Sequence, residues 1–239
     1  MSKEDQLSRS ARQFESKLRA LHDALERRIL PAFASIQAEG DAIAANVFHE
    51  LGEDAGPDYD SSEDAMVAQE ARFEYFDLMG KVEQSLINAM LVTASHLFEQ
   101  QLIALVRRVY PPLAEAEADA LAKKPRDRFK TMVRDRTNID VDALPGWAKA
   151  EELRMIANTI KHADGPAADT LRQLRPDLLT HPSQRSQSAS PVPQSLDFTS
   201  FGDNIFVTPA QFAEYVVALC GFWQAFPASF RAGQRPLPW

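Results

Sequence analysis

The sequence predicts a mainly α-helical protein, and three observations carry that expectation. Glycine is scarce, with 9 among 239 residues, while Ala, Leu, Glu, Gln and Arg abound; these residue types lose least on entering a helix. Apolar residues recur at spacings of three and four through most of the chain, the period of a helix with one buried face. The hydrophobic share of 45 % is ample for a packed core.

The elements follow in order. Leu7, Ala11, Phe14, Leu18, Leu21 and Leu25 alternate steps of four and three. That is a heptad seam, which requires a partner helix in the same chain or in a second subunit. Pro31 ends or kinks this helix, and a second covers Phe33 to Leu51, so that residues 1–51 read as a helical hairpin. "GEDAGPDYDSSED" is a turn-rich loop with Ser62 as N-cap of the next helix. Its carboxylates do not make a calcium loop, because Glu63 stands where glycine is needed and Gln69 where a bidentate glutamate should close it. Residues 63–110 read as helix nearly throughout, with Gly80 as the point of any break. Val82, Leu86, Met90 and Leu97, beside Ile87, Leu91, Ala94, Phe98 and Leu102, form a broad core stripe. His96 lies at its polar edge as a surface histidine. Pro111 and Pro112 stop the helix.

A short helix spans about 115–122, and Pro125 opens a basic helix in its first turn. "NIDVDALPGW" leads into a helix containing "EELRMIANTIKHADG", where Leu153, Ile156, Ala157 and Ile160 form the buried stripe. Gly165 and Pro166 end it. Residues 62–174 thus read as a helical core. Arg175 to Ser195, rich in Ser, Gln and Pro, reads as a mobile linker. In 196–239, "LDFTSFGDNIFVTP" alternates around a Gly-Asp-Asn turn as a small β-hairpin. Thr208, Pro209 and Gln211 then supply an N-cap, an N1 proline and a capping-box partner for a last helix that packs on the core through an aromatic stripe.

Several function classes fall away. The N-terminus "MSKEDQLSRS" lacks the apolar stretch of a signal peptide, and no window approaches 18 uninterrupted apolar residues, so a cytoplasmic protein without membrane partners is expected. Cys220 is the single cysteine; it forms no internal disulfide, rules out a four-thiolate zinc site and reads as a small buried hydrophobe. P-loop, dinucleotide, zinc-protease and nucleophile-elbow motifs are absent. Neither a metal nor a cofactor is expected.

Net charge is −8, which argues against a general polyanion binder. The charge is uneven: residues 1–120 carry −11 and the remainder +3. "KKPRDRFKTMVRDR", Lys123 to Arg136, holds 7 basic and 2 acidic residues. It is either a solvated helix face or a phosphate-contacting surface, with Lys123, Lys124, Arg126, Arg128, Lys130 and Arg134 as the RNA-binding candidates.

The motif helix places Arg154, Asn158, Lys161 and His162 away from its buried stripe. The run Ala157-Asn158-Thr159-Ile160-Lys161-His162 resembles the R-N-x-x-x-H signature of the HEPN superfamily, matching it at Asn158 and His162, and "ELRxxANTIKHxxG" is also similar to uncharacterised bacterial proteins. The resemblance covers roughly Phe73 to Gly165. It implies an all-α bundle with long antiparallel helices, a homodimer with facing motif helices, and metal-independent RNA cleavage in a bacterial toxin or phage-defence setting with an antitoxin or defence-system partner. It also admits a catalytically silent adaptor that binds a partner protein or nucleotide. The family arginine position holds Ala157. Arg154, one turn before Asn158 and about 80° from His162 on a helix of 100° per residue, is the candidate substitute. A neutral histidine can accept a ribose 2′-OH proton, a cation can stabilise the pentacoordinate phosphate, and Asn158 can orient either group. Lys161 is a weaker cation for this task because it lacks a bidentate fork, and it serves instead as an RNA-binding candidate. A purely structural coiled-coil module is the third class, resting on the heptads alone.

Overall fold

The computed structural model describes residues 3–53, 56, 60–110, 113–137, 139–182 and 204–233. Eight α-helices hold most of them: α1 Lys3–Ala24, α2 Ile36–Gly52, α3 Ser62–Val109, α4 Glu115–Lys123, α5 Pro125–Arg136, α6 Trp147–His162, α7 Pro166–Leu174 and α8 Pro209–Gly233. The axis is α3, 48 residues without a break at Gly80, about 72 Å long at 1.5 Å per residue. Its most apolar window is long enough to cross a membrane by length and composition, and half of that window is buried inside the protein. Its C-terminal half is the inner helix of the body, packed by α1, α5, α6 and α8.

The heptad seam of α1 is filled within the chain. Leu7, Ala11, Phe14, Leu18 and Leu25 are all buried, because α1 lies along α8 and α3. Residues 1–51 therefore do not form the expected hairpin: α1 joins the body, while α2 packs on the N-terminal half of α3. Between them run a π turn, Leu25–Ile29, and a 3-10 turn, Leu30–Phe33, with Pro31 in its first turn. The seam places no demand for a second subunit.

An aromatic cluster closes the body. Phe98 of α3 meets Phe222, Trp223 and Trp147 at centroid distances of 5.3, 5.6 and 6.2 Å, within the range of favourable ring packing. Gln101, one turn on and 2 % exposed, accepts from Trp223 Nε1 at 2.6 Å and donates to the Phe14 carbonyl at 3.1 Å. One buried amide thus joins α3 to both α8 and α1 and has its polar atoms satisfied, as burial demands. Cys220 is buried as expected, and burial pushes its thiol up to about 11.

Two C-terminal expectations need correction. No strand is present among the described residues, and the expected β-hairpin is not seen there: 196–203 lie outside the described residues, and 205–208 run without a ladder. The backbone there is held by helices instead. Asn88 Nδ2 donates to the Ile205 carbonyl at 3.0 Å, Gln84 Nε2 to the Val207 carbonyl at 3.1 Å, and Phe206 N to the Leu178 carbonyl at 2.7 Å. The segment expected to be a mobile linker is also packed where it is described. Leu178 and Leu179 are fully buried, and Arg175 binds Asp177, Glu152 and the Tyr215 hydroxyl. The rest of that segment, 183–195, lies outside the described residues. The capping box of α8 is present as expected: Gln211 N donates to Thr208 Oγ1 at 3.2 Å, and Thr208 N to Gln211 Oε1 at 2.9 Å.

Candidate functional site

Glycine sets the position of α6. Gly146 takes φ +79°, and a Cβ there would lie 2.0 Å from the Ala218 carbonyl oxygen of α8. Only a residue without a side chain lets α6 begin so close to α8. Trp147 then enters the aromatic cluster, and Leu153, Ile156, Ala157 and Ile160 form the buried stripe the sequence indicates. Arg154, Asn158, Lys161 and His162 are left at the surface of α6, half-buried or exposed.

Those four residues divide between two hollows. The first is a cleft of about 330 Å³ between α3, the α4–α5 junction and α6. Arg154, Asn158 and Lys161 line one wall, Lys123 and Lys124 another, and His96 and Glu99 the third. The second hollow, of about 540 Å³, lies between α6 and α7. It holds His162 with the Ala163–Pro166 connection, and Arg154 and Asn158 line it as well. Arg154 and Asn158 therefore form a ridge shared by both hollows, with Lys161 on one side and His162 on the other. The connection is held by Arg172, which binds Asp169 at 2.8 Å and also Asp164. Ala163 sits at φ +54° and ψ −121°, outside the left-handed helical well, in a sparsely populated conformation that costs on the order of 1–3 kcal/mol.

Charge in the cleft is organised by carboxylates. Arg126 Nε donates to Glu99 at 3.0 Å, its Nη1 to Glu151 at 3.4 Å, and its guanidinium lies 5.3 Å from the Phe98 ring centroid. Glu151 also accepts from Arg154 Nε at 3.1 Å. Arg126 is only 4 % exposed. It is buried among partners from α3 and α6, not solvated as its place in a basic run suggests. Lys123 pairs with Asp119 at 2.8 Å. Lys124 and Lys161 are exposed, and among the described residues neither has an ion-pair partner.

The remaining candidates do not join the cleft. Arg128 is exposed outside it, Lys130 is bound to Asp142 at 2.6 Å, and Arg134 is exposed with Asp135 at 3.9 Å. His96 was not legible as a site residue: it reads as the polar edge of α3, and its neighbours come from α5 and α6. The other flank of α6 carries a separate network. Burial acts to raise Glu152, but hydrogen bonds from Tyr215, Lys149 and Arg175 outweigh it and hold the carboxyl below its ordinary value. Tyr215 is raised, first by burial and then by Glu152. Among the described residues no group of His, Cys, Asp and Glu is arranged to hold a metal ion.

The class that fold and site define is an all-α bundle with a basic interhelical cleft. Comparison with known proteins adds no relative to that class: no family model, no curated protein and no solved structure matches the chain.

Proposed function

We propose that the chain is a HEPN-like RNA-binding protein that cleaves RNA without a metal or cofactor, acting in the cytoplasm in a bacterial defence or toxin setting. The observation that carries this reading is the shared ridge: Arg154 and Asn158 line both hollows, so a phosphodiester lying on them has His162 on one side and His96 on the other. One histidine takes the proton of the ribose 2′-OH, and the 2′-oxygen attacks phosphorus. Arg154 and Lys161 stabilise the charge on the pentacoordinate phosphate. The P–O5′ bond breaks, and the leaving oxygen takes a proton from the second histidine. The products are a 2′,3′-cyclic phosphate and a 5′-hydroxyl. Lys123 and Lys124 hold the flanking backbone through sequence-independent contacts.

A second reading has its own support. Glu151 occupies Arg154 Nε, and Glu99 and Glu151 occupy Arg126, so the cleft's arginines are already neutralised in part. That favours a catalytically silent adaptor binding a nucleotide or partner protein through Lys124 and Lys161. RNA incubated with the protein in EDTA separates the two. Cyclic-phosphate ends that vanish in His162→Ala and in His96→Ala support cleavage; intact RNA across a broad substrate panel supports the adaptor. The HEPN resemblance also implies a homodimer with facing motif helices. Light scattering at micromolar concentration tests it, and a strict monomer leaves a site within one chain as the only arrangement.

A further inference from the structure

Outside the body, α2 and the first half of α3 make an antiparallel arm. Gly40 seats the Phe76 ring so closely that a Cβ would lie 2.4 Å from it, while Arg72 Nε meets Asp41 at 2.7 Å and Tyr75 bonds Glu39. These contacts hold the two helices to each other. From Ser62 to Leu86, α3 buries only Asp64 and Ala68, and continuous burial begins at Ile87. Up to Gln84, which bonds the Val207 carbonyl of the body, this stretch of α3 runs for roughly 33 Å, taking 1.5 Å per residue.

Two properties of the arm belong together. It carries most of the exposed large hydrophobic residues among the described residues, and the body carries only Leu174 and Val217. Met66 and Phe73, 67 % and 58 % exposed, stand seven residues apart on one face of α3 and line a shallow groove with Glu70 and Glu74 beside them. Leu78, Val82 and Leu86, also exposed, lie nearer the body on another face of α3, about 120–200° around the helix from Met66 at 100° per residue. The arm is, in addition, where the acidity of the chain resides: its described residues, 36–53, 56 and 60–86, hold 11 Asp or Glu and 2 Lys or Arg, a net −9. The other described residues sum to +3.

Charge decides what such a surface accepts. A second arm would bring −9 against −9, and an anionic bilayer would be repelled in the same way. The body of a second copy has the opposite charge but offers only two scattered apolar side chains. A helix with apolar residues at i, i+3, i+4 and i+7 and lysine or arginine on its flanks satisfies both properties at once. We infer that the arm is a docking surface for a basic amphipathic helix of a partner protein, its apolar anchors on Met66 and Phe73 and its cations against Glu70 and Glu74. This inference does not depend on what the cleft does.

The test uses the full chain and a fluorescein-labelled 20-residue helical peptide with leucine at the apolar positions and lysine elsewhere. Its controls are the same composition scrambled and the same pattern with glutamate replacing lysine. Anisotropy should show the basic amphipathic peptide binding at least tenfold tighter than either control. Met66→Ser with Phe73→Ser should weaken it tenfold or more, as should Glu70→Lys with Glu74→Lys, each with an unchanged circular-dichroism melt. No binding, equal binding of the scrambled peptide, or binding unaffected by both variants overturns the proposal. So does a dimer dispersed by the Met66 and Phe73 changes, which would make a second copy the occupant, or arm-dependent binding to phosphatidylserine vesicles, which would make it a membrane.

Discussion

Replacing Arg126 with methionine should unfold the cleft wall more readily without changing how the protein meets RNA. Methionine keeps an aliphatic stem and removes the guanidinium that lies over Phe98, leaving Glu99 without its cation at 3.0 Å and Glu151 with Arg154 alone. Breaking a fully buried ion pair from one side costs about 3–5 kcal/mol. Here the two carboxylates are 25 % and 32 % exposed and rehydrate in part, so the expected loss is about 2–3 kcal/mol. For a chain of this size that lowers Tm by roughly 4–12 °C. Urea unfolding of Arg126→Met, Glu99→Gln and the double variant, followed by tryptophan fluorescence, measures the loss and the coupling, which should exceed about 1 kcal/mol for groups in direct contact. A loss under about 0.5 kcal/mol, or additive effects, would refute the framework role. The salt dependence of RNA binding gives an independent readout, since each phosphate contact adds about 0.7 to the log–log slope on a single strand. Arg126→Met should leave that slope unchanged while Lys124→Gln lowers it. A stable Arg126→Met protein with a reduced slope would instead make Arg126 a phosphate contact.

Two further outcomes follow from the body. Gly146→Ala forces a Cβ into the Ala218 carbonyl and an alanine into φ +79°, so it should destabilise by more than about 2 kcal/mol, combining overpacking with left-handed strain; a urea midpoint near wild type would contradict the observed approach of α6 to α8. Glu152 has a carboxyl lowered from 4.5, so its contribution is complete above that value and is lost as pH falls through the lower, folded one. Stability measured from pH 6 to 3 should therefore fall less steeply in Glu152→Gln than in wild type, and parallel acid limbs would count against the hydrogen-bonded network.

The parts of the fold that were legible are those decided locally. The stripe of α6 from Leu153 to Ile160 and the Thr208–Gln211 box depend on residues within a turn or two of each other, and both are present. The failures depend on distant partners. An alternating pattern near Ile205 and Val207 suggests a strand, yet Asn88 and Gln84, more than 100 residues away in sequence, hold those carbonyls. Arg126 looks like its exposed neighbours until Glu99 and Glu151 arrive from other helices. Val82 and Leu86 read as core on periodicity, but both are exposed: the body meets this stretch of α3 at Gln84, which holds the Val207 carbonyl, and leaves those two side chains uncovered. Of the candidate site, the pattern on α6 was visible and its division into two hollows was not. That division depends on which element stands opposite each side chain.

The unbroken course of α3 has a mechanical consequence. Met66 on the arm and His96 in the cleft belong to one rod, thirty residues and therefore about 45 Å apart, with neither a proline nor a loop between them. A tilt of one degree about the cleft end displaces the groove by about 0.8 Å at that radius. The arm and the histidine-bearing wall of the cleft are thus two ends of one continuous helix, with no joint in its backbone to separate them.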